Sequence, residues 1–164
     1  MSATATPATA FLHAAGVAFQ LHEFGPEAAE GNYGVTAAAA LGFDPDRVFK
    51  TLLATVDGLA APGIAVAIVP VSGQLSLKQL ATDVGAKRAE MCDPGAVQRV
   101  TGYVVGGISP FGQRKLLPTA IDETSEFFDT IYVSGGRRGL EIEIAPGDLI
   151  RVLSAVTAPI GVHH

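Results

Sequence analysis

The chain of 164 residues contains no tryptophan, and its one cysteine, Cys92, has no partner for an intrachain disulfide. Nothing therefore demands an oxidising compartment, and a disulfide-stapled miniprotein is excluded. Charge is scarce as well, at 16% of residues against a usual ~25%. With 48% of residues hydrophobic, a largely disordered protein and a coiled coil are excluded too. Long apolar runs are missing: GIAVAIVPV at 63–71 is too short to span a bilayer. The opening MSATATPATAF has neither a positive flank nor a long apolar stretch, so no secretory signal is read. The expectation is one soluble, cytoplasmic domain over 1–164, large enough to bury roughly 70% of its unfolded surface.

Positive charge is also unevenly placed. Residues 1–46 carry Glu23, Glu27, Glu30, Asp44 and Asp46 but no Lys or Arg. All 11 basic residues lie in 47–164, several as pairs: Lys87-Arg88, Arg114-Lys115 and Arg137-Arg138. The net charge of -5 argues against indiscriminate binding to nucleic acid. The pairs are either solvated loop charges or, if they converge, a local anion site.

Thr6-Pro7 opens a first helix that Gly16 stops, with Ala8, Phe11, Leu12 and Ala15 on its buried face. Val17, Phe19 and Leu21 alternate with Ala18, Gln20 and His22, a half-buried strand. GPEAAEGNYG reads as loop and VTAAAALG at 35–42 as a short helix. Residues 48–56 and 64–71 are strands. Ser76 caps a helix through Val84, and Asp93-Pro94 starts another that ends near Gly102. YVVGGI at 103–108 and DTIYVS at 129–134 are further strands. LEIEIA at 140–145 follows a Gly135–Gly139 turn as the second arm of a hairpin, and Pro146 begins a last helix of about two turns. Adjacent strands mixed with isolated helices indicate α+β with a mixed sheet.

The usual catalytic constellations are absent. His13, His22, His163 and His164 fall in no zinc motif, so neither a metal nor another cofactor is expected. Cys92 has no histidine near it in sequence, and Ser134 lacks the nucleophile elbow. An enzyme of this sequence works by positioning and polarising, or borrows a reactive group from its substrate. Three patterns remain. Lys50 stands in RVFKTLLATV among apolar residues on both faces of a strand, so it either snorkels to water or meets an anionic ligand at the floor of a cleft. In GYVVGGISPFGQRK, Gly106-Gly107 leave room for a ligand or another backbone, and the turn at Ser109-Pro110 precedes two cations. Backbone N–H groups in such a loop can bind phosphate or an oxyanion. In YVSGGRRGLEIE, Ser134 ends a strand beside two glycines, with Arg137-Arg138 at the tip. That is a plain hairpin loop or a place for a substrate's polar group.

Together, VFKTL at 48–52, VPVSGQLSLKQLA at 69–81, TGYVVGGISPFGQRKLLPT at 101–119 and IYVSGGRRGLEIEIAPGDL at 131–149 resemble the YbaK/EbsC family. These are freestanding relatives of the editing domain of bacterial prolyl-tRNA synthetases, and the nearest branch is that of the Cys-tRNA(Pro) deacylases. The likeness covers about 8–155. It implies one compact domain with a curved, barrel-like mixed sheet and peripheral helices. It also implies hydrolysis of the ester between a mischarged amino acid and the 3'-terminal adenosine of tRNA, with no cofactor. Lys50 matches the pocket lysine that engages the terminal nucleotide, and Thr51 follows it as in the family. Tyr33 aligns with a pocket position where Phe is common. Gly106 and Gly107 match the backbone near the scissile carbonyl, with Ser109 and Arg138 beside the substrate. Ser134 matches the serine of VSGG, and Glu141 stands where many relatives carry Asp.

For that branch the resemblance implies a substrate-assisted reaction, in which the thiol of the attached cysteine attacks its own ester. Water attack aided by the ribose 2'-hydroxyl, suited to Ala-tRNA(Pro), is the alternative. A module that binds an aminoacylated 3' end without cleaving it is another. The expected partners are the tRNA acceptor end and a prolyl-tRNA synthetase holding the same tRNA.

Overall fold

The computed structural model describes residues 4–24 and 38–163. The whole of the loop expected over 25–34, Tyr33 included, and the start of the helix expected over 35–42 lie outside the described residues. Residues 38–41 are helical, and Gly42 follows at φ 71°.

Caps set most of the helices. In α1 (Pro7–Ala15) the Thr6 hydroxyl accepts from the Thr9 N–H while the Thr9 hydroxyl accepts from the Thr6 N–H, a reciprocal capping box. Gly16 closes the helix in the left-handed region. Ala8 and Leu12 are buried and Phe11 is half-buried, but Ala15 is exposed. The expected strand from Val17 begins only at Gln20, because the Val17 N–H still bonds the Leu12 carbonyl at 3.2 Å as part of the helix stop. The others are α2 (Leu77–Val84) capped by Ser76, α3 (Pro94–Thr101) capped by Asp93 and stopped by Gly102, and α4 (Pro146–Leu153).

The strands are β1 (Gln20–Glu23), β2 (Phe49–Val56), β3 (Ile64–Pro70), β4 (Gly73–Leu75), β5 (Ala89–Met91), β6 (Thr119–Asp122), β7 (Ile131–Ser134), β8 (Leu140–Ile144), β9 (Val156–Ala158) and β10 (Gly161–His163). They form a five-stranded mixed sheet β5-β2-β3-β6-β9, a three-stranded sheet β1-β8-β7 and the pair β10-β4. A parallel bridge between Val48 and Tyr132, with the Tyr132 N–H on the Arg47 carbonyl at 3.0 Å, sews the two larger sheets together. The result is an α+β fold with a curved sheet that, among the described residues, does not close into a barrel.

The expected strand over 103–108 is not one. Val104 and Val105 are exposed, and the Gly107 N–H turns back onto the Val104 carbonyl at 2.9 Å. Valine pairs favour strands only where a neighbour and a core receive them, and here neither does. The short strands β5, β6, β9 and β10 had no sequence signal, being too brief to display alternation.

Two apolar layers sandwich the five-stranded sheet. Phe49 and Leu53 of β2, Val66 and Ile68 of β3, and Ile121 of β6 meet the inner face of the three-stranded sheet, Ile131, Val133, Ile142 and Ile144. On the opposite face Ala54, Ala67 and Ala120 lie under Leu80 of α2. Alanine there lets the helix sit close.

Candidate active site

Lys50 lies on β2 opposite Val69, on the face that also carries Val48, Leu52 and Ala54. It is half-buried, and its Nζ donates to the Gly73 carbonyl at 3.1 Å. Burial lowers its pKa from the ordinary lysine value. Among the described residues no carboxylate pairs with it. The ammonium is therefore partly withdrawn from water and, among the described residues, meets only a neutral carbonyl, an environment that favours an approaching anion.

Register then decides what stands beside it. In the β7–β8 hairpin Ser134 is directly opposite Glu141, and in the β1–β8 pair His22 is opposite Glu141. Ile131, Val133, Ile142 and Ile144 point into the main core, so Tyr132, Ser134, Glu141, Glu143 and His22 occupy the other face. Val48 and Tyr132 form the bridge between sheets and share one apolar cluster. Lys50 is two residues beyond Val48, and Ser134 is two beyond Tyr132 in the same direction. Lys50, Ser134, Glu141 and His22 thus follow one another across a single curved face.

One end of that face is filled. Phe43 stacks on Tyr132 with ring centroids 3.8 Å apart, Arg47 lies over the same ring, and His22 bonds Glu143 at 2.8 Å. The Thr130 hydroxyl, donating at 2.6 Å, is the main reason that the Glu143 carboxyl is held below its ordinary value. The other end is open in its hydrogen bonding. Ser134 Oγ accepts from the Gly136 N–H at 3.2 Å, and among the described residues no acceptor takes its own proton. Glu141 is buried, its Oε2 has no hydrogen-bond partner among the described residues, and burial raises its pKa to about 8. At neutral pH it is mainly a neutral acid, able to donate.

The glycine loop rests on the hairpin tip. A Cβ on Gly106, which has φ 93°, would lie 2.5 Å from Arg138 Nε, and one on Gly107 would lie 2.9 Å from Arg137 Cα. Close backbone approach therefore accounts for Gly107, and its N–H is already taken by the Val104 carbonyl. Of the two, the Gly106 N–H is the one with no backbone partner in the loop. Arg138 is exposed at the tip, whereas Arg137 pairs with Glu23 at 3.0 Å. Ser109 is fully buried; its hydroxyl accepts from the Phe111 N–H at 3.3 Å and shapes the turn. Tyr103 braces the same turn by donating to the Phe111 carbonyl at 2.5 Å. Thr51 points to the opposite side of β2 from Lys50, between Phe49 and Leu53 in the main core. Cys92 packs against that core as well.

Two site features had escaped the sequence. His22 joins the row through β1, which only the strand register discloses. The Thr6 hydroxyl, besides capping α1, donates to the Gly135 carbonyl at 2.6 Å and so holds the hairpin turn. Its capping role was legible; its second partner was not.

Residues 33–152 match the family described as the aminoacyl-tRNA editing domain. The chain is 38% identical over 125 residues to EbsC of Enterococcus faecalis, named as a proposed Cys-tRNA(Pro)/Cys-tRNA(Cys) deacylase, covering 76% of this chain and 74% of that one. It is 31% identical over 104 residues to ProXp-y of Escherichia coli, a multifunctional Ser/Thr-tRNA deacylase, covering 63% of this chain and 62% of that one. A crystal structure described as a proposed trans-editing enzyme for prolyl-tRNA synthetase superposes with TM-score 0.85 at 21% identity, covering 99% of each chain, and shares the fold.

Proposed function

The chain belongs to the aminoacyl-tRNA editing family, and from that premise we propose that it hydrolyses mischarged tRNA in trans, with Cys-tRNA(Pro) as its substrate. The observation that carries this reading is the single face bearing Lys50, Ser134 and Glu141, with the Gly106 loop lying on the same hairpin. Lys50 binds the phosphate of the terminal nucleotide. Ser134 and the neutral Glu141 donate to oxygens of the ester or ribose, and the Gly106 N–H faces the developing oxyanion. Arg138 stands at the entrance. Ser109 and Thr51 support the loop and the strand from within.

The reaction takes its nucleophile from the cargo. The cysteinyl sulfur bonds to its own carbonyl carbon, the bond to the ribose oxygen breaks, and the thiol proton ends on that oxygen. The cyclic thioester is then opened by water to free cysteine. Confinement of thiol and ester in one hollow supplies the acceleration. This fits a face whose histidine is engaged by Glu143 and whose chain packs its one cysteine against the core.

The likeness to a Ser/Thr-tRNA deacylase favours a second reading, in which water attacks esters of amino acids without a thiol. Assays on Cys-tRNA(Pro), Ala-tRNA(Pro) and Ser-tRNA(Pro) separate the two. Thiol attack predicts that the cysteinyl ester is lost fastest, and equal rates for cysteine and serine would overturn it. Such an enzyme works in the cytoplasm, where tRNA is charged. With a net charge of -5 it holds tRNA weakly alone, and a prolyl-tRNA synthetase presenting the same tRNA is the proposed partner.

A further inference from the structure

Between Asp93 and Asp122 the chain has no acidic residue, and its charged groups there are Arg99, Arg114 and Lys115. Between Asp129 and Glu141 the charged groups are Arg137 and Arg138. The fold brings both stretches to one loop. The N–H groups of Arg114 and Lys115 bond the Thr101 and Val100 carbonyls, each at 3.1 Å, which ties that pair to the end of α3. A Cβ on Gly102 would lie 2.9 Å from Arg114 Nε, as one on Gly106 would meet Arg138. The segment 102–106 is therefore bracketed by two guanidinium groups. Between them Val104 and Val105 stand 56% and 53% exposed, and Arg114, Lys115 and Arg138 are all exposed.

We propose that this rim, Arg114 and Lys115 on one side of the glycine loop and Arg138 on the other, is the docking surface for the sugar–phosphate backbone of the acceptor stem. The proposal rests on the reading of the adjacent hollow as the site of the aminoacyl ester. RNA whose terminal adenosine enters that hollow must cross the rim with the nucleotides that precede it. Each brings one phosphate for the cations and an apolar sugar or base face for the two valines. In a protein of net charge -5, a local cluster of exposed cations also supplies orientation, drawing the polyanion to this edge in preference to the acidic remainder.

The test compares wild type with the double variant Arg114→Glu/Lys115→Glu on two substrates, Cys-tRNA(Pro) and 3'-cysteinyl adenosine, which has no backbone phosphate. Both side chains are exposed, and thermal melts verify that the variant folds. On tRNA the variant's KM should rise about tenfold or more, and the slope of log kcat/KM against log salt should flatten by about 1 to 2, as expected when two phosphate contacts are lost. Turnover of 3'-cysteinyl adenosine should be unchanged. Unaltered tRNA kinetics and salt slope would overturn the proposal, as would equal loss on both substrates, which would put the cations inside the hollow. Anisotropy of labelled, uncharged tRNA keeps the two readings apart. Salt-dependent binding by wild type that the variant loses supports the rim even if neither protein hydrolyses an ester, an outcome that would sink only the proposed activity. Wild-type binding that is absent, or that the variant retains, overturns the rim.

Discussion

Lys50 and Glu141 are each destabilised in the form that water would favour. Burial disfavours the ammonium of one and the carboxylate of the other, lowering the first pKa and raising the second to about 8. For Glu141 the linkage has a definite sign. Below its unfolded value of 4.5 the group is protonated in both states. As pH rises from there only the unfolded chain loses the proton, so stability declines until about pH 8 and is level beyond. Glu141→Gln cannot ionise. Relative to wild type its folding stability should improve by on the order of 3 kcal/mol between pH 4 and pH 7. Urea melts at the two pH values check this, and a constant difference would refute it. Lys50→Met keeps the stem and removes the desolvated charge. It should lower kcat/KM by about 100-fold or more, or roughly 3 kcal/mol, with a melting temperature no lower than wild type. Lys50 was visible in the sequence because a lysine among apolar strand residues is unusual. That Thr51 belongs to the opposite layer follows from alternation once β2 is known to be covered on both sides.

Elements were legible where a cap or a turn residue punctuates them. Thr6-Pro7 with Gly16, the Ser76 cap, and Asp93-Pro94 with Gly102 mark three helices as their chemistry requires. The 131–144 hairpin is equally clear from its alternation and glycines. The loop over 103–108 was misread because its valines and glycines have the composition of a strand end while its partners, Arg137 and Arg138, come from another hairpin. That packing makes Gly107 a sensitive point. In Gly107→Ala the new methyl meets backbone atoms of Arg137, which cannot rotate away. The loss should be about 1–3 kcal/mol of stability, with reduced turnover because the loop lifts from the hairpin; a variant with normal melting and normal kcat would contradict it. Thr6→Val loses both the cap and the bond to Gly135. A cost of about 1–2 kcal/mol is expected, and amide exchange at Gly136 and Arg137 should accelerate along with that of α1 if the hydroxyl couples the two.

For the whole molecule, the residues of the candidate site could be nominated but not assembled. Lys50 is separated by a long stretch of chain from the hairpin that carries Ser134 and Glu141, and their common face depends on a bridge, Val48 to Tyr132, that leaves no mark in either local sequence. The same holds for the basic pairs, whose convergence on the glycine loop is a property of the fold. Still less legible is the contribution of the last strand. In β10, His163 stands opposite Gly73, and the carbonyl of Gly73 is the one that receives the Lys50 amine. β10 thus pairs with the strand whose carbonyl holds the Lys50 amine. Deleting residues from 161 onward, or fusing a bulky tag there, should weaken kcat/KM before it melts the core, so the choice of purification handle becomes an enzymological variable.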